Sequence, residues 1–307
     1  MSTPPTPSTP DPHHDSHRAF SDTSSGREAS PAPLTPGGMP YAAVPASRRQ
    51  ARSTRRSWLI AGTGAALVLV GTGSWGIVSG SGPWTSVTQH ETYRQPVETL
   101  SVTGGSGDVT ISGSAPAGTV EITRRLRRGL TGSEPVSQES WTGTTLEITP
   151  DCPGSFLSGC SIDYDIEVPD ATAVTVDVES GDINLGGELA KVSATSGSGD
   201  IALGGELAKV SATSGSGDIE ANALGTADLF ARSGSGDLDL DLVAAPTQAT
   251  LKTGSGDVNV QVPRGGSYAV EAQTGSGDKE VLVDQATTSS HTISAESGSG
   301  DVTVTYR

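Results

Sequence analysis

Aspartate recurs along the C-terminal half of the chain, each time directly after a glycine-rich turn such as Ser-Gly-Ser-Gly-Asp. The steps from Asp182 to Asp301 are 18, 18, 19, 20, 21 and 23 residues. A carboxylate here either accepts backbone N–H groups in its own turn or, stacked in a column, holds a ladder of calcium ions. The repeated calcium motif G-G-x-G-x-D has one residue between its last glycine and its aspartate, whereas Gly199 is followed directly by Asp200. Turn capping is therefore favoured, with calcium as the alternative, for the aspartates Asp108, Asp182, Asp200, Asp218, Asp237, Asp257, Asp278 and Asp301.

Other residues that could carry chemistry are few beyond residue 80. His90 and His291 are the only histidines there, and no nucleophile-elbow, zincin or P-loop motif occurs. A polysaccharide-acting β-helix would also show aromatic platforms, whereas Trp84 and Trp141 are isolated. We therefore predict that the protein is not an enzyme and has no catalytic, cofactor-binding or metal site.

The segments between the turns alternate apolar and polar side chains, which predicts short β-strands and no helix after residue 80. Two eighteen-residue blocks, 183–200 and 201–218, differ only at Asn184 and Ala202. This period fits stacked repeats, either a β-solenoid or an antiparallel meander. We favour a parallel β-helix or β-solenoid with rungs of about 18 to 23 residues, because so wide a meander would curl or split.

The solenoid interpretation makes local predictions. Successive isoleucines of the duplicated block should stack on one another, and Gly197, Gly199 and their equivalents in the other repeats should provide positive φ at a tight corner. The charged pair Lys279-Glu280 stands where other repeats have apolar residues, which predicts a bulge or a register slip. The last rung, 301–307, should expose an edge that is covered by an earlier segment or pairs with another molecule.

Upstream of the repeats the chain divides into three segments. Residues 1–56 are rich in Pro, Ser and Thr, which predicts a disordered tail. Residues 57–79 contain no charged residue and are long enough for one transmembrane helix, and the arginines just before them place the N-terminus in the cytoplasm. A cleaved export signal is the alternative. Residues 80–93 are predicted to be a linker, and residues 94–307 an extracellular domain.

Charge is distributed unevenly along the chain. Residues 1–56 contain seven basic and four acidic residues, a balance of +3, whereas residues 79–307 contain 12 basic and 31 acidic residues, a balance of −19. So acidic a domain argues against nucleic acid as a partner. Because only 33% of all residues are hydrophobic and 4% aromatic, the core should be thin.

Cys152 and Cys160 are the only cysteines. In an extracellular domain they are expected to form a local disulfide, with free thiols as the alternative. They lie in residues 94–178, whose spacing is less regular than that of 179–307 and which are predicted to cap the SGSGD repeats.

The run Asp163-Tyr-Asp-Ile-Glu-Val-Pro-Asp170, followed by VTVDVESGDI and the SGSGD turns, resembles a family of bacterial putative-adhesin domains of unknown function, found on membrane-anchored proteins of actinobacteria and other bacteria. The resemblance covers about residues 94–307. It implies a β-solenoid fold, related to adhesin-head modules, and a location in the cell envelope. No catalytic residues are described for the family, so none is transferred.

These observations predict a single-pass membrane protein of the cell envelope whose extracellular solenoid binds a wall polysaccharide or another protein. The alternative is a transmembrane sensor that regulates the response to envelope stress. Self-association through the span or the terminal rung is also compatible with the sequence.

Overall fold

The protein is described by a computed structural model at residues 85–128, 135–152 and 160–307. These residues form β-strands and no helix, which confirms the all-β prediction. Within these ranges there is accordingly no helix that could span a bilayer. The predicted tail and span, residues 1–79, lie outside the described residues. The strands are β1 (Thr85–Tyr93), β2 (Thr99–Thr103), β3 (Val109–Ala115), β4 (Val120–Arg128), β5 (Val136–Thr142), β6 (Thr145–Asp151), β7 (Ser161–Pro169), β8 (Thr172–Val178), β9 (Ile183–Ser196), β10 (Ile201–Ser214), β11 (Ile219–Gly225), β12 (Asp228–Ser233), β13 (Leu238–Leu242), β14 (Gln248–Thr253), β15 (Val258–Val262), β16 (Ala269–Thr274), β17 (Lys279–Val281), β18 (Thr292–Ser297) and β19 (Val302–Tyr306).

Most strands stack in two parallel ladders, one on each side of the domain. Ladder A joins segments that follow the aspartates, in the order β7-β3-β9-β10-β11-β13-β15-β19-β17. Ladder B joins segments that precede the glycine-rich turns, in the order β6-β2-β8-β9-β10-β12-β14-β18-β16. The long strands β9 and β10 contribute their first halves to ladder A and their second halves to ladder B. The nine strands of each ladder make a solenoid-like stack of nine rungs, about 40 Å long at ~4.8 Å between rungs.

The duplicated block contributes adjacent rungs in register. Ile201 pairs with Ile183 on one side and with Ile219 on the other, and all three side chains are buried. Leu203 likewise stacks on Leu185. Each fully buried Ile or Leu stabilises the fold by roughly 1.5–3 kcal/mol, so a thin column of aliphatic side chains can replace a thick aromatic core.

The order of the rungs in space differs from their order in sequence at both ends. At the C-terminal end, β18 and β19 lie between β14 and β15 on one side and β16 and β17 on the other. The last rung in sequence is therefore interior, and residues 269–281 form the terminal rung. Of the two outcomes expected for the edge at residues 301–307, coverage by an earlier segment is the one found. At the other end, β2 and β3 lie between β6 and β7 and the rung formed by β8 and β9.

The predicted register slip at Lys279 and Glu280 is wrong. Lys279 pairs with Val302 and Glu280 with Thr303, without a shift. The charged side chains fit because they belong to the terminal rung, where both are exposed to solvent. Charges on an edge strand also oppose pairing with another chain.

Three antiparallel strands close the N-terminal end of the stack. β4 pairs with β7, β1 with β4, and β5 with β6. The predicted linker at residues 80–93 is wrong for residues 85–93, because they form β1 along its whole length. The predicted capping half, 94–178, is also only partly a cap: β2, β3, β6, β7 and β8 are rungs of the two ladders.

Candidate functional site on the outer face of ladder B

The eight predicted turn aspartates form one column along a corner of the stack. The Oδ1 atom of each except the last, Asp278, accepts the backbone N–H of the next aspartate in the column, as between Asp200 Oδ1 and Asp218 N at 2.9 Å. The carboxylates therefore bond between rungs, and the expectation that each caps its own turn is wrong. Because such bonds to an ionised acceptor are strong, they offset the repulsion between neighbouring carboxylates. The spatial order is Asp108, Asp182, Asp200, Asp218, Asp237, Asp257, Asp301 and Asp278.

The turn residues before each aspartate also contact the neighbouring rung. The buried hydroxyl of Ser214 donates to the carbonyl oxygen of Gly199 at 2.9 Å. A Cβ atom on Gly199 would lie 2.1 Å from the carbonyl oxygen of Gly181. Neither Gly197 nor Gly199 has positive φ, so the prediction of a positive-φ corner is wrong at these two positions. It is confirmed at four equivalents of Gly199, which are Gly181, Gly256, Gly277 and Gly300. Glycine is required there because the backbones of adjacent rungs approach too closely for a side chain.

These contacts give the aspartate corner a structural role. Among the residues that the structure describes, no group of three or more His, Cys, Asp or Glu side chains is arranged to hold a metal ion. Cys152 and Cys160 are joined by a disulfide, with their Cα atoms 5.9 Å apart. The bridge closes the connection between β6 and β7.

The outer faces of the two ladders differ in chemistry. On ladder A the outward side chains include the carboxylates of Glu220, Asp239 and Asp241, and Arg307 pairs with Asp241 at 2.9 Å. On ladder B the outward side chains mix hydroxyls and amides with the cations Arg232 and Lys252 and the ring of Phe230. Register places them in two columns, Ser211-Phe230-Thr250-Ser294-Glu271 and Thr213-Arg232-Lys252-Glu296-Gln273.

A groove of about 340 Å³ lies on the outer face of ladder B at the C-terminal end of the stack. Its floor comes from β14, β18 and β16, and one wall comes from residues 285–287. That wall is held by hydrogen bonds on both sides of Tyr268, whose N–H donates to the Asp284 carbonyl at 2.9 Å and whose carbonyl accepts from Ala286 N at 3.0 Å. The polar lining residues are Gln248, Thr250, Glu271, Gln285, Thr287, Thr292 and Ser294.

Phe230 continues this surface along the stack. It pairs in register with Thr250 of the groove, and 38% of its area is exposed. Arg232 and Lys252 lie in the adjacent column, and Lys252 pairs with Glu296 at 2.7 Å. We call the groove together with Phe230, Arg232 and Lys252 the ladder B site. This site was not predicted from the sequence, because its residues, from Phe230 to Ser294, are separated by up to 64 positions and only the rung register brings them together.

A buried polar cluster closes the N-terminal end of the core. Arg124, only 7% exposed, forms ion pairs with Glu91 and Glu139, and the Tyr93 hydroxyl donates to Glu139. Burial raises the pKa of the Glu139 carboxyl despite the opposing effect of Arg124, and burial raises the pKa of Tyr164 to about 12. These groups come from β1, β4, β5 and β7 and fill the space where the aliphatic core ends. The cluster closes the end of the aliphatic core, and too little of it is exposed to solvent for it to serve as a binding site.

Comparison with known proteins identifies the family. No curated protein sequence matches the chain. Among solved structures it is similar to a putative lipid binding protein from Parabacteroides distasonis, with 15% identity, a TM-score of 0.40, and coverage of 75% of this chain and 99% of that one. It is also similar to a putative cell adhesion protein from Clostridium sporogenes (14% identity, TM-score 0.32, coverage 72% and 100%) and to a putative adhesin from Bacteroides fragilis (14%, 0.32, 72% and 97%). The family described as Toastrack DUF4097 matches residues 95–307, more than two thirds of the chain, and the protein therefore belongs to that family.

Proposed function

We propose that the protein is a non-enzymatic, adhesin-like component of the cell envelope that binds a wall polysaccharide through the ladder B site. It is anchored by a single span at residues 57–79, with the N-terminal tail in the cytoplasm and the β domain outside. The uncharged segment and the arginines before it support this topology, and so does the disulfide, since disulfides persist in oxidising compartments.

The observation that carries the proposal is the combination of a hydroxyl- and amide-lined groove with an exposed aromatic ring in register beside it. Sugar hydroxyls both donate and accept hydrogen bonds, and so do Thr250, Ser294 and Gln248 in the groove. The Phe230 ring offers a flat apolar surface for the C–H face of a sugar ring. Because the same columns continue from rung to rung, the site suits an extended polymer better than a small ligand.

Binding of purified cell-wall glycan to the full-length protein in detergent tests the proposal. We expect Phe230→Ala to weaken binding by about tenfold, which corresponds to the upper end of the energy of one aromatic contact. The matched control is Leu282→Ala, which removes another exposed apolar side chain, 57% exposed, outside the ladder B site. Equal binding by the two variants would contradict the proposal. If intact cell walls still bound the protein after digestion of their glycan but not after proteolysis, the partner would be a protein and the proposal would be wrong.

A further inference from the structure

Basic residues of the acidic domain are concentrated on one strand. Four of the 12 basic residues in 79–307 lie between positions 124 and 128, at the end of β4. Arg124 is buried in the polar cluster, whereas Arg125, Arg127 and Arg128 are exposed. Arg127 pairs with Asp163 at 2.7 Å, and Arg125 and Arg128 have no carboxylate within 4.0 Å among the described residues. We call these three exposed residues the arginine edge.

The arginine edge lies where the β domain begins. β1 is the outermost strand of this end and pairs with β4, so that Thr85 is opposite Arg128, Ser86 opposite Arg127, and Thr88 opposite Arg125. The predicted span ends at residue 79, and six residues of extended chain reach at most about 20 Å. The arginine edge is therefore held within a short distance of the point at which the chain leaves the bilayer.

Charge complementarity identifies what this edge would contact. The net charge of residues 79–307 is −19, so an anionic membrane surface repels most of this domain. It attracts only a part of the surface where cations are grouped. Near the edge, Asp163 is already paired with Arg127, and His90 is bonded to Thr123 at 2.9 Å. Arginine forks bind phosphate oxygens in bidentate fashion. The acidic face of ladder A and the ladder B site lie away from this edge, towards the other end of the stack.

We propose that the arginine edge, formed by Arg125, Arg127 and Arg128, binds anionic phospholipid headgroups. The N-terminal end of the stack then faces the bilayer. This inference depends on the membrane anchor proposed above. Arg125 and Arg128 each contribute about fivefold to the preference for the anionic surface, on the order of twentyfold together, and Arg127 contributes less because it is paired with Asp163. The stack would then stand on the bilayer with its groove about 40 Å from the headgroups.

The test uses the full chain in nanodiscs of phosphatidylcholine, with or without phosphatidylglycerol. A dye on Thr88→Cys, opposite Arg125, reports proximity to spin-labelled lipid headgroups by quenching. We expect severalfold stronger quenching in the anionic discs than in the neutral ones. This increase should disappear in the triple variant Arg125→Gln, Arg127→Gln, Arg128→Gln and at 0.5 M salt, where charges are screened within about 4 Å.

A matched control changes the same number of charges elsewhere. The triple variant Lys191→Gln, Lys209→Gln, Lys279→Gln, whose lysines lie on the ladders outside the ladder B site, should keep the increase in quenching. Equal quenching in both discs, or an increase that persists in the arginine variant, would overturn the proposal. If quenching were equal but the arginine variant lost binding of soluble polyphosphate, the edge would belong to an anionic polymer and the lipid assignment would be wrong. Failure of the chain to insert in either disc would instead contradict the membrane anchor, and the proposal with it.

Discussion

Replacing Gly199 with alanine tests the close approach of adjacent rungs. The new Cβ atom would lie 2.1 Å from the carbonyl oxygen of Gly181 and 3.0 Å from Ser196 Oγ. The obstructing carbonyl belongs to the backbone, so it cannot rotate away as a side chain would. The rungs must separate locally by about 1 Å to restore an ordinary contact.

The expected loss of folding stability follows from the hydrogen bonds that join the rungs at that corner. Separation disturbs the bond from Ser196 Oγ to Gly181 O (3.1 Å), that from Ser214 Oγ to Gly199 O (2.9 Å) and that from Asp200 N to Asp182 Oδ1 (3.0 Å). Each is worth roughly 1–1.5 kcal/mol, so Gly199→Ala should destabilise the fold by roughly 3–4.5 kcal/mol. For a domain of this size that is a fall in melting temperature of roughly 6–18 °C.

Thermal unfolding followed by circular dichroism measures the effect, and the same repeat supplies a control. At Gly186 an added Cβ would meet only the Gly204 carbonyl oxygen, at 3.8 Å, and φ is not in the left-handed region. Gly186→Ala should therefore leave the melting temperature nearly unchanged. If Gly199→Ala unfolds within 2 °C of the wild type, the reasoning about rung contact is refuted.

Three further predictions concern the aspartate column, the rung order and the buried cluster. Asp200→Asn keeps an oxygen that can accept the N–H of Asp218, so its free energy of unfolding in urea should be nearly unchanged. Asp200→Ala should lower that free energy by about 1–3 kcal/mol. Equal losses in the two variants would argue against the inter-rung bond. Deleting residues 292–307 removes an interior rung, so hydrogen exchange should show β16 and β17 unprotected, and retained protection there would contradict the rung order. Burial raises the pKa of Glu139, so protons bind the folded state more tightly and stability should fall as the pH rises above the ordinary value of 4.5. Glu139→Gln should flatten this slope in urea unfolding at pH 4 to 8, whereas the same change at exposed Glu179 should not.

The strands and their register could be predicted because both depend on local pattern. Alternation at Val302–Tyr306 and in the other repeats marks strands that bury one face. The duplicated block specifies in-register pairing, because identical rungs place Ile on Ile and Leu on Leu. The family resemblance, drawn from the strand at 163–170 and the SGSGD turns, is confirmed at the level of a family of unknown function, Toastrack DUF4097.

The order of the rungs could not be predicted from the repeats, because each rung offers its neighbours nearly the same backbone and the same aliphatic residues. One signal was present: Lys279 and Glu280 place charge on a rung, and charge is tolerated best where nothing stacks beyond. The sequence contains even less indication of the ladder B site. Phe230 is a single aromatic residue, and only the pairing of β12 with β14 places it beside the groove.

The first and last rungs in sequence, β2 with β3 and β18 with β19, both lie inside the stack. Other segments form the two ends, β6 with β7 and β16 with β17. The terminal positions are occupied by specialised segments, so a gain or loss of length must occur in the interior, where each rung has near-equivalent neighbours above and below. The tandem copies at 183–200 and 201–218 lie in that interior. Unequal recombination could thus lengthen or shorten the stack by whole units while leaving the segments at both of its ends unaltered.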